Sequence, residues 1–91
     1  MLNARKPSQS AEILALEALG WLAGNEAGLA RFLAATGSDI DTIRKGAGGM
    51  DIARAVLDFL LENEDLLLAF CEIASTLPHA VQAARRQLDG A

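Results

Sequence analysis

The sequence contains no tyrosine, one cysteine, one histidine, two prolines and two valines among its 91 residues. Each shortage excludes something. A single thiol, Cys71, can form neither an intrachain disulfide nor a multi-cysteine metal site. A lone thiol fits a reducing compartment, so a cytoplasmic protein is expected. With five isoleucines, three threonines and 4% aromatic residues, the chain is poor in the side chains that strands favour. No apolar run approaches the ~18 residues of a membrane span, so no membrane association is expected. The apolar stretch after Arg5 and Lys6 carries Glu12 and Glu17, unlike the apolar region of a secretion signal. Positive charge is also scarce. The net charge of −4 disfavours phosphate backbones, which need a concentrated basic face, and nucleic acid is not an expected partner.

What is present is helix-forming material. Fifteen leucines and eighteen alanines dominate the apolar residues, and both types favour helices. The expected fold is all-α: a compact bundle of about six short helices in a single domain over residues 8–91, after a flexible tail at 1–7. Ser8 or Ser10 can cap a first helix that runs to Ala23. Its apolar face comprises Leu14, Ala15, Ala18, Leu19, Trp21 and Leu22. Gly24 suits a left-handed stop. Asn25 caps a second helix, with Glu26 in its first turn, and Gly37 ends it. Ser38-x-x-Asp41 has the spacing of a capping box for a short third helix, with Ile40 and Ile43 facing inward. Gly46-Ala47-Gly48-Gly49 breaks the chain. A fourth helix follows at about Met50–Glu62 and a fifth, capped by Asn63, at about Glu64–Ser75. Pro78 opens the sixth, whose narrow stripe is Leu77, Val81, Ala84 and Leu88.

The order of these helices is suggestive. Slid by 38 positions, Ile13–Ile43 aligns without a gap on Asp51–Val81, and seven of the 31 pairs are identical. Asn25-Glu26 falls on Asn63-Glu64, Trp21 on Phe59 and Phe32 on Phe70. This predicts two quasi-repeated three-helix units, about 13–45 and 51–83, with matching environments for the paired aromatics.

Val56-Leu57-Asp58-Phe59-Leu60-Leu61-Glu62-Asn63-Glu64-Asp65-Leu66-Leu67-Leu68-Ala69-Phe70-Cys71 is an acidic joint between two leucine-rich helices, ending in Ala-Phe-Cys. With Ala15-Leu16-Glu17-Ala18-Leu19-Gly20-Trp21-Leu22-Ala23 and Arg31-Phe32-Leu33-Ala34-Ala35-Thr36-Gly37, it resembles the small bacterial domain-of-unknown-function family 3572. The resemblance covers roughly Ser8–Leu88. It implies a stand-alone, cytoplasmic, mostly helical protein, and it implies no activity, cofactor or site.

Four clusters could carry chemistry. The acidic joint of Asp58, Glu62, Glu64 and Asp65 has oxygen ligands for a hard cation but lacks an EF-hand pattern. A solvated face and a helix N-terminus explain these residues as well. Cys71 could be a nucleophile with His79 as partner, yet its neighbours Leu67, Phe70 and Ala74 describe a core thiol. Residues 29–45 have helix-turn-helix-like spacing around Gly37, but Asp39 and Asp41 stand where phosphate contacts would fall. Arg85 and Arg86 could join Arg5 and Lys6 in a basic patch, and they equally suit a helix C-terminus. No Gly-x-Ser-x-Gly elbow or comparable catalytic motif is present.

These observations favour a non-catalytic protein-interaction or self-associating module, without cofactor or metal. A homodimer is expected. The fifth helix is too apolar for one narrow stripe, which makes Leu66, Leu68 and Ile73 the candidate interaction surface. Nucleic-acid binding through residues 29–45 is the alternative, and a small enzyme or ligand binder is the second.

Overall fold

A computed structural model of the chain describes residues 7–90. They form six α-helices: α1 (Pro7–Ala23), α2 (Glu26–Thr36), α3 (Ile40–Gly46), α4 (Met50–Glu62), α5 (Glu64–Ala74) and α6 (Pro78–Gly90). No strand occurs among the described residues. The all-α bundle read from the leucine and alanine content is therefore the fold. Of the expected tail, Met1–Lys6 lie outside the described residues, and Pro7 opens α1.

The helix ends show which caps the sequence signals identify. Asn25 caps α2 as expected, its Oδ1 accepting from Gly28 N–H at 3.0 Å. Gly28 is packed closely there, since a Cβ would meet Asn25 and Leu22 at 3.2 Å. Gly37 closes α2 in the left-handed conformation at φ 68°. Four expectations are corrected. Gly24 is not left-handed, and its N–H donates back to Trp21 O at 3.1 Å in the turn between α1 and Asn25. Ser8 and Ser10 lie inside α1 rather than ahead of it. Asp39, not Ser38, caps α3 by accepting from Thr42 N–H at 2.8 Å. Asn63 precedes α5 without capping it by its side chain. Its amide instead donates to Phe59 O at 2.8 Å, and its Oδ1 accepts from Arg31 at 2.6 Å.

Helices α1, α4 and α6 pack on one another most extensively and form the centre. Helix α1 contributes Ala11, Ala15 and Ala18 to the core, small residues that let neighbouring helices come close, together with Leu19 and Leu22. Helix α4 adds Val56, Leu57, Phe59 and Leu60, and α6 adds Val81, Ala84 and Leu88. Helices α2 and α5 flank this centre and send in Phe32 and Phe70, both fully buried. Leu77 is 59% exposed, so it falls off the stripe of α6: it precedes the helix and takes the cap position, its carbonyl accepting from Ala80 N–H at 2.9 Å.

Two aromatic contacts link the halves of the chain. Trp21 of α1 tilts on Phe70 of α5, with ring centroids 5.9 Å apart. Phe59 of α4 meets Phe32 of α2 edge-on at 5.3 Å. Ser75, at φ 54°, closes α5 in the left-handed conformation that Gly37 adopts at the aligned position of α2. The third helices differ. Helix α3 has seven residues and touches α4 sparsely, whereas α6 has thirteen and packs along both α1 and α4. Trp21 also remains half-buried where Phe59 is buried, so that pair of environments does not match in burial.

Candidate functional site

Several of the charged residues that could have formed a site instead hold helices together, while Glu62 and Glu64 are exposed. Asp58, expected on a solvated face, is gripped by Arg85 of α6: Nε donates to Oδ1 at 2.7 Å and Nη2 to Oδ2 at 3.3 Å. This bidentate fork leaves only 21% of the Arg85 side chain exposed, so Arg85 ties α6 to α4. Arg85 Nη1 and Arg54 Nε approach Asp89 Oδ1 to 2.9 and 3.4 Å in ion-pair contact without hydrogen-bond geometry. Arg54 Nη2 also donates to the Leu88 carbonyl at 3.2 Å. The neighbouring Arg85 guanidinium holds the Asp89 carboxyl below the usual carboxylate range.

The acidic joint is likewise divided. Arg31 of α2 donates to Asp65 Oδ2 at 2.9 Å and to Asn63 Oδ1 at 2.6 Å, which ties α2 to the start of α5. That contact lowers the carboxyl pKa of Asp65. No group of three or more ligand-type side chains stands close enough to hold a metal ion among the described residues. Cys71 is buried, and burial pushes its thiol pKa up, away from the reactive thiolate. His79 is exposed in the first turn of α6. In the helix-turn-helix-like segment, α3 is a short exposed helix capped by Asp39, and Arg44 pairs with Asp41 at 3.6 Å. Arg5 and Lys6 lie outside the described residues.

The three residues named as an interaction surface do not come together. Leu66 is buried in the core, because it projects on the same side of α5 as Phe70. Leu68 and Ile73 are 51% and 70% exposed. They point about 140° apart around the helix, at about 100° per residue, so they flank α5 on opposite edges.

An apolar cleft is found elsewhere, beside α1. A cleft of about 190 Å³ opens between α1, α2 and α3, lined by Leu19, Ala23, Leu29, Ile40, Ile43 and Arg44. Five of those six residues are apolar, and Arg44 is the one charged residue among them. Ile43 is buried in its floor, while Ile40, expected to face inward, is 39% exposed on its wall. Leu19 also borders a shallow hollow beside Leu16, where Glu12, Gly48 and Ile52 meet. Leu16 rises from this hollow at 51% exposure, and Ile13 stands one turn before it at 37%. The signal for this surface was in α1, whose apolar residues extend beyond its core face: Leu16 and Ala23 flank that face, and Ile13 and Gly20 fall opposite it.

Fold and surface define a small all-α bundle with an apolar side cleft and no clustered reactive groups among its described residues. A family model described as "Protein of unknown function (DUF3572)" matches residues 8–91, and the chain belongs to that family. No curated protein and no solved structure matches it.

Proposed function

We propose that this protein is a non-catalytic interaction module whose working surface is the cleft between α1, α2 and α3, together with the adjoining Leu16. The carrying observation is the cleft itself. It is apolar, open to solvent and about 190 Å³ in volume. An engineered apolar cavity of roughly 150 Å³ holds a benzene ring, so the space suits one large apolar side chain of a partner. On the reading of two related units, the cleft lies where they differ. Ala23 stands at the position of Leu61, Ile40 at that of Pro78, and the short α3 at that of α6. A cytoplasmic setting suits the single buried thiol.

The test is a photo-reactive amino acid placed at Ile40 in living cells, with the exposed α6 position Gln82 as control. The proposal expects a discrete adduct from position 40 and none from position 82. Equal labelling at both positions, or none at position 40, would contradict it.

A further inference from the structure

We propose that the occupant of the cleft is a second copy of this chain, docked through α1 about a two-fold axis near Gly20. The proposal rests on the reading of the cleft as an interaction surface and adds its partner. Three observations carry it.

The surface is self-complementary in shape. Leu16 projects from one end of the α1 strip at 51% exposure, and the cleft beside Ala23 lies at the other end. The two are seven residues apart, about 10 Å at ~1.5 Å per residue. An antiparallel pairing of α1 with its copy sets each Leu16 into the opposite cleft, and does so twice by symmetry.

It is also complementary in charge. Glu12 borders the hollow from which Leu16 rises, and Arg44, which pairs with Asp41 of its own helix at 3.6 Å, lines the cleft. Seating Leu16 therefore brings Glu12 towards Arg44 of the other copy, at both ends of the contact. This fixes direction and register more than affinity.

Gly20 supplies the third observation. It sits in the last turn of α1 between Leu16 and Ala23, and a Cβ added there would meet nothing within 4 Å. Its φ is not positive and no neighbour within the chain crowds it. Glycine favours a helix less than alanine does, and no contact inside the monomer uses the space it leaves. At the axis of an α1–α1 contact it lets the two backbones approach closely.

Sedimentation equilibrium at micromolar concentration tests the proposal. The wild type is expected at the mass of two chains. Gly20→Leu and Leu16→Glu are expected at the mass of one chain, with unchanged helical circular dichroism because both positions face solvent. Leu68→Glu is expected to remain a dimer. Arg44→Glu should raise the dissociation constant about tenfold, and Glu12→Arg added to it should recover most of that loss. A wild type at one-chain mass overturns the proposal, while an adduct of Ile40 with a different protein would still support the interaction surface. A dimer that survives both Gly20→Leu and Leu16→Glu overturns the placement on α1. Failure of the paired charge exchange overturns the contact between Glu12 and Arg44.

Discussion

Trp21 packs on Phe70 with ring centroids 5.9 Å apart, across 49 residues of chain. Under the 38-residue offset Trp21 corresponds to Phe59 and Phe70 to Phe32, and those two partners also meet, at 5.3 Å. The first helix of each aligned segment thus takes its aromatic contact from the second helix of the other. If the two units are equivalent, both contacts carry similar energy. Double-mutant cycles on Trp21/Phe70 and on Phe59/Phe32, each changed to leucine, should give couplings of about 0.5–1.5 kcal/mol in both cases. A coupling confined to one pair would argue against equivalent units.

Phe70 is also the deepest large side chain of α5, at 1% exposure. Phe70→Ala should cost about 3–5 kcal/mol, the usual range for emptying a buried aromatic site. That is a large part of the stability of a domain this small. Urea melts measure it, and a loss below about 1 kcal/mol would place Phe70 at the periphery.

Helix positions were legible because the signals for them are local. Leucine at helical spacing, Asn25, Gly37, the glycine-rich break and Pro78 each act within a turn or two of the residues they organise. The exceptions arise from tertiary contact. Asn63 has the sequence context of Asn25, yet Arg31 of α2 recruits its side chain and leaves the α5 cap unmade. Asp58 looked solvated because the arginine that grips it lies 27 residues onward. The apolar content of α5, too high for one narrow stripe, points to a surface there, but helical spacing turns Leu66 and Leu67 inward and leaves Leu68 and Ile73 on opposite edges.

The thiol of Cys71 should be inert in the folded protein, since it is buried and its pKa is raised by that burial. A small thiol reagent should label the native protein far more slowly than the urea-unfolded protein. Equal rates would place the sulfur at the surface.

Acid should destabilise the fold through three carboxylates. Asp89 is held low by Arg85, Asp65 by Arg31, and Asp39 by the Thr42 N–H. A folded-state pKa below the unfolded value of about 3.9 means that the contribution is complete above that value and lost as pH falls through the folded one. All three carboxylates are solvent-exposed, so the effect is modest and screened by salt. Denaturant midpoints from neutrality to about pH 3 should fall in the wild type and fall less in Asp89→Asn. Parallel curves would remove Asp89 from the account.

The interaction surface itself is tested most directly by methyl NMR on protein labelled at leucine and isoleucine, comparing the wild type with Leu16→Glu at micromolar concentration. Docking through α1 predicts shift differences that reach Leu29, Ile40 and Ile43, with Leu68, Ile73 and Leu77 unmoved. Differences centred on Leu68 or Ile73, or differences confined to the immediate neighbours of position 16, would contradict it.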